Sequence, residues 1–337
     1  MAGTLAGFAA ARLTGADRVR LAESWSVPLL SFTPQAAATA WASAILLRGR
    51  GPAAVAALSG AALAVAVTPR ATRCRQPAAT GPVVRLVTAN LLVGRASAEA
   101  LTRLAASTRA DAVFVQEVTG EAVASLRRAG LSDQFPHALR PPTEPGRLVS
   151  GIYARFPLLA DEPGPPARPA PACAAPMSAA RCTARLALPS GESVRLACIH
   201  SQPPKPPWSR AATARWRSQL SALPPPGPDP LILAGDFNAT LDHAAFRQLL
   251  ARGYVDAASQ IGHGLALTWG PRPHRRPALL AIDHFLVSPQ CEVLATSTHV
   301  LPGSDHRAVY AEIRLPDRAG RGELGADAAR AGRENME

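Results

Sequence analysis

Beyond residue 82, short apolar segments of strand length alternate with segments whose apolar residues recur at helical spacing. This alternation limits the fold strongly, because parallel strands need long crossovers whereas antiparallel neighbours need only a turn. Both connections are indicated, since Pro189-Ser190-Gly191 directly separates two strand-like segments. The pattern predicts a mixed α/β domain. Its predicted strands are 83–90, 111–117, 151–154, 183–188, 193–199, 230–235, 281–287 and 309–315, and its predicted helices are 97–109, 121–130, 209–220 and 241–250.

Nearly every predicted strand is bounded at one end by a carboxylate, an amide or a histidine. Burying a carboxylate at such a position is costly unless it is paired or holds a cation. One such position is ordinary, whereas several that converge on one sheet edge indicate an active site. The residues concerned are Asn90, Gln116, Glu117, His200, Asp236, Asn238, Asp283, His284, Asp305 and His306.

These residue types suit the metal-assisted attack of water on a phosphate ester. The ester is anionic and repels hydroxide, so a divalent cation must neutralise it while a base orients or deprotonates the water. Mg²⁺ prefers oxygen ligands, which Asn90 and Glu117 offer. Asp236 can orient the nucleophile, and His306 can donate to a phosphate oxygen or take a proton if Asp283 fixes its tautomer.

Seven short blocks of sequence carry a family resemblance. In their order and spacing they resemble the signature blocks of the endonuclease/exonuclease/phosphatase superfamily, which includes DNase I, abasic-site endonucleases, neutral sphingomyelinases and inositol polyphosphate 5-phosphatases. The resemblance extends over about residues 83–315 and is greatest to membrane-anchored bacterial members. The blocks are Thr88-Ala89-Asn90, Val115-Gln116-Glu117, Ile199-His200, Gly235-Asp236-Phe237-Asn238, Leu267-Thr268-Trp269, Ile282-Asp283-His284 and Ser304-Asp305-His306.

The resemblance implies a four-layer αββα sandwich with two mixed β-sheets, hydrolysis of phosphoesters, and dependence on Mg²⁺, with Mn²⁺ as an alternative metal. Carried over residue by residue, it makes Asp236 the group that positions or activates water and Asn238 a contact to the phosphate. His200 and His306 would stabilise phosphoryl oxygens. The implied catalytic residues are His200, Asp236, Asn238, Asp283 and His306, and the implied metal ligands are Asn90, Glu117 and Asp305.

The first 68 residues differ from the rest of the chain. Residues 25–47 and 52–68 are uncharged runs of 23 and 17 residues. A hydrocarbon core of about 30 Å needs about 20 apolar helical residues, so the first run is long enough and the second is marginal. The alternative is a soluble alanine-rich hairpin. The sequence thus predicts a hydrophobic helical membrane anchor at 1–68, a linker at 69–82, a catalytic domain at 83–316 and a disordered tail at 317–337.

The arginines leave the orientation of this anchor open. With two spans, the arginines that flank the runs outnumber Arg48 and Arg50 between them, which favours a cytoplasmic catalytic domain. If residues 1–13 are the remnant of a third helix, the Arg48/Arg50 loop is the cytoplasmic one. We expect a bacterial cell membrane protein with its catalytic domain on the outer side. A disulfide between Cys173 and Cys182 would fit that compartment.

Other enzyme classes lack their motifs in this sequence. It contains no P-loop, no G-x-S-x-G elbow, no H-E-x-x-H helix and no C-x-x-C pair. The net charge of +12 is weak evidence for a nucleic-acid partner, because one lysine among 36 basic residues is typical of a GC-rich genome.

The substrate depends on loops, and the apolar pattern of the sequence predicts loops poorly. Thr268, Arg272, Arg275 and Arg276 are expected near the mouth of the site as substrate-binding residues. Arginine near tryptophan suits nucleic acid, and arginine also suits an anionic lipid surface. We favour an endonuclease or related phosphodiesterase. The alternatives are a phospholipid, sphingomyelin-type or small-phosphoester hydrolase at the membrane, and an inactive binding module. No protein partner is inferred.

Overall fold

The computed structural model describes residues 1–19, 23–160, 181–204, 209–271 and 277–317. Within these ranges, twelve strands form two six-stranded sheets. Their bounds are β1 Val83–Asn90, β2 Ala112–Val118, β3 His137–Leu139, β4 Val149–Ala154, β5 Leu158–Ala160, β6 Arg181–Ala187, β7 Ser193–His200, β8 Leu231–Asp236, β9 Val255–Asp256, β10 Asp283–Val287, β11 Glu292–Val300 and β12 Arg307–Arg314. The strand order is β11-β12-β1-β2-β4-β3 in the first sheet and β5-β6-β7-β8-β10-β9 in the second.

Both sheets are mixed, as the sequence predicts. β1 runs parallel to β2 and β7 runs parallel to β8, whereas β12, β4, β6 and β10 are antiparallel to their neighbours. The described α-helices are α1 Ala2–Thr14, α2 Glu23–Leu30, α3 Thr33–Leu46, α4 Arg50–Val67, α5 Ala98–Ser107, α6 Gly120–Arg128, α7 Leu131–Gln134, α8 Arg210–Ser221, α9 Ala244–Leu250 and α10 Ala257–Gln260.

The buried apolar residues define four layers. Phe114 and Phe285 pack edge to face between the sheets, with ring centroids 6.1 Å apart. Leu101 of α5 and Leu126 of α6 cover the outer face of the first sheet. Trp216 of α8 lies in the core on the outer face of the second, together with residues of α9. The predicted αββα sandwich is therefore confirmed.

The first uncharged run does not form one long helix. It is divided into α2 and α3 because Pro34 occupies the first turn of α3, where its missing N–H group is tolerated. The 14 residues of α3 span about 21 Å, which is less than a bilayer core. The second run, expected to be marginal in length for a membrane span, forms one continuous helix, α4. Among the described helices, Arg50–Ala71 is the one long and apolar enough to cross a membrane, with a mean hydropathy of 1.7.

Helices α1, α3 and α4 pack on one another around Ala9, Ala37 and Leu63. Gly60 permits a close approach in this group, because a Cβ atom there would lie 3.2 Å from the Trp41 ring. Much of the outer surface stays apolar. Its exposed large apolar residues include Trp41, Ile45, Leu46, Leu58 and Val65.

The N-terminal helices are joined to the sandwich by a buried ion-pair cluster. Arg12 of α1 donates from Nε to Asp242 Oδ1 at 2.7 Å. Arg70, just beyond α4, donates from Nη1 and Nη2 to the two oxygens of the same carboxylate at 2.8 and 2.6 Å. Asp242 is fully buried. Burial would raise the pKa of Asp242, but the hydrogen bonds and charges of Arg70 and Arg12 outweigh it and hold the pKa below its ordinary value.

Residues 69–82, expected to be a linker, pack along the sandwich. The backbone carbonyl of Arg70 accepts from the amide of Gly264, and the amide of Cys74 donates to the carbonyl of Gln260. The side-chain amide of Gln76 makes two hydrogen bonds to the backbone of Val293. Val293 lies where the register of β11 shifts, and Gln76 satisfies the hydrogen-bonding capacity of its backbone N–H and C=O groups. Of the expected tail, residues 318–337 lie outside the described residues.

We predict that replacing Asp242 by Asn destabilises the full chain by about 3 kcal/mol near pH 7, because it leaves two buried arginines without their carboxylate. A carboxyl with a lowered folded pKa stabilises the fold above its unfolded pKa and loses that contribution as pH falls through the folded pKa. The stability difference between wild type and Asp242→Asn should therefore shrink below about pH 4. Urea denaturation of both proteins from pH 3 to 7 in one detergent measures it. A difference independent of pH would contradict the assignment.

Candidate functional site

The strand ends of both sheets meet at one edge of the sandwich. In the second sheet, His200 of β7 and Asp283 of β10 are register partners of Asp236 in β8. In the first sheet, β1 ends at Asn90, whose side-chain amide donates 3.0 Å to Asp236 Oδ2. This hydrogen bond crosses between the sheets, so the polar strand ends predicted from the sequence lie together.

Asp236 lies at the centre of this group and is 2% exposed. The backbone amide of Asn238 donates to its Oδ1 at 2.8 Å, and the side-chain amides of Asn90 and Asn238 both donate to its Oδ2. Burial, with the nearby Asp283 charge, raises the pKa of Asp236 to about 6 despite His306 and His200. Asp236 therefore holds its proton more readily than an ordinary carboxyl and can act as a base near neutral pH.

The residue before Asp236 must be glycine. Gly235 has a φ of +141°, and a Cβ atom there would lie 2.0 Å from the carbonyl oxygen of Ile199 in β7. No side chain fits that gap, so the close pairing of β7 with β8 depends on this glycine. Asn238 follows with a φ of +47°, a left-handed conformation that asparagine tolerates. Its side-chain amide also donates to the carbonyl of Ser201, which fixes the turn.

Glu117 reaches the site through strained backbone. Its φ is +56°, and the register of β2 against β4 shifts between Val115 and Val118. One carboxylate oxygen accepts from Asn90 at 3.2 Å, and the other accepts from the amide of Val93 at 2.8 Å. Val93 itself has a φ of +53°, which is unfavourable for a β-branched residue. Strain at two facing positions is typical of a functional site.

His306 and Asp283 form a buried pair. His306 Nδ1 lies 2.9 Å from Asp283 Oδ2, and His306 Nε2 lies 3.8 Å from Asp236 Oδ2. Burial would lower the pKa of His306, but the carboxylates of Asp283 and Asp236 raise it to about 10. Without a metal, the imidazole is therefore a cation that can donate a proton or a hydrogen bond.

The remaining predicted residues border this centre. His200 Nε2 lies 3.6 Å from Glu117 Oε1 and 3.9 Å from Asp236 Oδ2. Asp305 accepts from the Trp269 indole at 3.0 Å, and its other oxygen lies 3.9 Å from His306 Nε2. All eight predicted catalytic and metal-binding residues are therefore parts of one connected network.

The site fits a hard divalent cation. Asp283 Oδ1 and Asp305 Oδ1 are buried and have no hydrogen-bond partner among the described residues. The site has four carboxyl groups and two imidazoles, so when all four are ionised the histidines can balance no more than two of the negative charges. The predicted ligand Asn90 directs its amide nitrogen to the site carboxylates, and its oxygen accepts from the amide of Leu92 at 3.0 Å. Glu117 could supply oxygen ligands on one side. On the other, ligand atoms of Asp236, Asp283 and His306 all lie within 4.8 Å of one another.

Thr268 supports the site from behind. It is buried, and its hydroxyl accepts from the backbone amides of Ile282 and Asp283 at 3.0 and 3.1 Å. In the structure, Thr268 thus holds the backbone of Asp283 in place, whereas the sequence analysis expects Thr268 to contact substrate. Arg272, Arg275 and Arg276 lie outside the described residues, as does Cys173.

Several residues support the site in ways that the sequence does not predict. The Ser304 hydroxyl donates to the Asn90 carbonyl and accepts from the His306 amide, so it links β1 to the final motif. The Ser201 hydroxyl donates to the Phe237 carbonyl. His284 contacts Asp256 from Nδ1 and the carbonyls of Ala239 and Ala281 from Nε2. Ser304 and His284 lie within the quoted blocks, but only the folded chain shows what they contact.

The described geometry agrees with the comparison to known families. Residues 87–306 match the model of the endonuclease/exonuclease/phosphatase family, which is 220 of 337 residues. The chain belongs to this family, and the resemblance inferred from its sequence blocks is confirmed. Members hydrolyse phosphoester bonds and generally depend on divalent metals. No curated protein sequence matches the chain significantly.

Several solved structures are similar to this chain but distant from it in sequence. An endonuclease/exonuclease/phosphatase from Beutenbergia cavernae DSM 12333 is 17% identical, with a TM-score of 0.50 over 69% of this chain and 72% of that one. An AP endonuclease from Archaeoglobus fulgidus is 14% identical, with a TM-score of 0.49 over 68% and 98% of the two chains. D. rerio TDP2 complexed with a single-strand DNA product is 17% identical, with a TM-score of 0.48 over 68% and 98%. The similarity to the Beutenbergia cavernae structure concerns the fold alone.

We predict that Mg²⁺ or Mn²⁺ raises the melting temperature of the wild-type chain and that Glu117→Gln and Asp283→Asn each reduce the shift. At a free metal concentration of about 100 times Kd, binding should stabilise the native state by about 2.7 kcal/mol. Thermal unfolding with metal or with EDTA measures this. Glu292→Gln is the matched control. Glu292 lies on the edge strand β11, pairs with Arg314 of β12 and is partly exposed, away from the site. Equal shifts in all four proteins would place the metal elsewhere.

Proposed function

We propose that this chain is a metal-dependent phosphodiesterase and that its preferred substrate is a nucleic acid. The observation that carries the proposal is the position of Asp236. Its carboxylate is oriented by Asn90 and Asn238 and lies 3.8 Å from a histidine that Asp283 holds. A base and a cationic acid thus face one small volume beside Glu117, as the hydrolysis of a phosphodiester requires.

In the proposed reaction, Asp236 orients a water molecule and takes its proton as the new P–O bond forms. His306 donates to a phosphoryl oxygen or supplies the proton that the leaving oxygen needs when its bond to phosphorus breaks. His200 adds a second imidazole beside the reacting phosphate, and Asn238 contacts its oxygens. A metal ion held near Glu117 would neutralise the phosphate and stabilise the charge that develops on it.

Two observations support different substrates. Between the Thr268 and Asp283 blocks the sequence has Arg272, Arg275 and Arg276, whose positive charges suit the phosphates of a polynucleotide. The exposed apolar residues of α3 and α4 would instead keep the site beside a lipid surface, which favours a phospholipid or another small phosphoester. The nucleic acid is our first candidate, because the arginines belong to the segment that joins the two motif blocks.

We expect Asp236→Ala and His306→Ala each to lower metal-dependent turnover by at least about 10³-fold while the protein remains folded. Both side chains act on the transition state, so their loss should reduce kcat. The assay uses the full chain with Mg²⁺ or Mn²⁺ or with EDTA, and Glu292→Gln serves as the control. Near-wild-type rates in either alanine variant would refute the mechanism.

The substrate class follows from the same assay with a panel of substrates. Supercoiled plasmid, single-stranded DNA and RNA are compared with sphingomyelin vesicles and a generic phosphodiester. Metal-dependent nicking that Asp236→Ala abolishes supports a nuclease. Turnover of lipid or of the small diester alone would support the alternative substrate. The absence of turnover with every substrate would favour an inactive binding module.

We also propose that α3 and α4 attach the chain to a membrane and that the catalytic domain lies outside the bacterial cell. Support comes from the apolar residues that this pair exposes and from Arg48 and Arg50, which lie in or beside the turn that joins the two helices. Arg12 and Arg70 contact the sandwich at the opposite end of the helices. An arginine pair in a short turn favours the cytoplasmic side for that turn.

Vesicle flotation tests the attachment. We expect Ile45→Glu combined with Leu58→Glu to lower the vesicle-bound fraction at least about tenfold, because charged residues are costly inside a bilayer. Val300→Glu is the control, because Val300 is an apolar residue 65% exposed on β11. Equal flotation of both variants would contradict the proposal. Cys74 is exposed, so its labelling by an impermeant maleimide in intact cells, absent in Cys74→Ser, reports the orientation.

A further inference from the structure

The loop that follows Asp236 and carries Asn238 is held firmly on its inner side. This loop, residues 237–243, joins β8 to α9 and is called the catalytic loop below. The amide of Phe237 donates to the carbonyl of Ile282 at 3.0 Å, and the Trp216 indole donates to the carbonyl of Phe237 at 3.1 Å. These contacts belong to the sandwich itself and hold the backbone of Phe237, the first residue of the loop.

The outer side of the catalytic loop is held by the N-terminal helices. Asp242 accepts three hydrogen bonds, one from Arg12 and two from Arg70. All three side chains are at most 10% exposed. An apolar contact could bury the same surface without fixing a direction, whereas a guanidinium fork on a carboxylate sets both distance and orientation. The cluster therefore defines where this end of the loop lies.

Two further contacts add to this attachment. His243 Nδ1 accepts from the amide of Thr240, so its Nε2 carries the hydrogen and donates to the carbonyl of Val27 in α2 at 2.8 Å. Burial lowers the pKa of His243, which agrees with a neutral ring. The Asp17 carboxylate accepts from the amide of Ala244, the first residue of α9. Three different parts of the N-terminal segment thus contact the end of the loop.

The attachment can reach the catalytic residues because the intervening turn is stiff. The amide of Asp242 donates to the hydroxyl of Thr240 at 3.3 Å, and the amide of Thr240 donates a hydrogen bond to His243 Nδ1. The carbonyl of Ala239 is held by His284. Asn238 has a left-handed backbone that few neighbouring conformations can replace. A movement of Asp242 therefore changes the position of Asn238, since the turn between them has little freedom to absorb it.

We propose that the N-terminal helices are a positioning element of the active site, and that Arg12 and Arg70, acting through Asp242, hold Asp236 and Asn238 in their catalytic geometry. This inference rests on the proposed function. Arg12, Arg70 and Asp242 are positioning residues, because none of them is among the side chains around Asp236. A misplacement of about 1 Å by a remote substitution can cost a large part of the rate, so the effect should fall on kcat.

Steady-state kinetics of the full chain in one detergent test the first consequence. We expect Arg70→Gln and Arg12→Gln to lower kcat for a generic phosphodiester by about tenfold or more, while KM changes by less than about threefold. Arg70→Lys keeps the charge but loses the fork, so it should restore only part of kcat. Glu292→Gln, which removes another carboxylate paired with arginine, should leave kcat unchanged. Wild-type kcat in folded Arg70→Gln would overturn the proposal.

Amide hydrogen exchange gives a second test that does not depend on activity. Arg70→Gln should raise the exchange rates of Phe237 and Asn238 about tenfold, whereas the amides of β1 keep their protection. Faster exchange confined to residues 242–244 would overturn the proposal, because the attachment would then stop short of the catalytic residues. If the wild-type chain hydrolyses no substrate, the proposed function fails, and the exchange result alone decides whether the helices position the loop.

Discussion

The buried negative charge at one edge of the sandwich determines how the rest of the structure is arranged. Glu117, Asp236, Asp283 and Asp305 lie together where water is largely excluded, and each would be unfavourable there alone. The fold offsets this cost with amide donors from Asn90 and Asn238 and with the His306 cation. Two carboxylate oxygens still lack partners among the described residues. A divalent cation and a phosphate together complete such a site, because the cation neutralises both the carboxylates and the substrate.

The mixed α/β domain and the centre of its site were predictable from local sequence signals, and the four-layer sandwich was implied by the family resemblance. A strand is recognised by a short apolar segment, and its C-terminal residue marks the place where a side chain can point into a shared edge. Asn90 and Asp236 follow this rule. Asp283 instead opens β10, and the antiparallel register of β10 with β8 brings it beside Asp236. The strand β11 escaped prediction because its polar residues Thr296, Ser297, Thr298 and His299 interrupt the apolar pattern of an edge strand that is only half buried.

The placement of the N-terminal region could not be predicted, because the decisive contacts join residues far apart in the chain. Arg12 and Asp242 are separated by 230 positions, and nothing in either neighbourhood marks them as partners. Composition alone suggests a membrane anchor followed by a linker. In the folded chain, Gln76 instead pairs with the backbone of Val293, and Arg70 reaches into the sandwich. Proline and glycine in a segment predict the absence of regular structure, and such a segment can still be fixed in place by its polar side chains.

The catalytic site is thus built from both halves of the chain. Its proposed chemistry lies in the sandwich, but the outer end of the loop after β8 is held by Arg12 of α1 and by Arg70 just beyond α4. A fragment that begins near residue 80 would keep every catalytic residue and lose both arginines, which would expose the Asp242 carboxylate and leave it unpaired. Weak activity in such a fragment would then reflect a displaced loop and would say little about the substrate. The same connection would give a physical route from the proposed membrane attachment to the proposed catalysis, because a movement of α1 or α4 would reach Asp242 through Arg12 and Arg70.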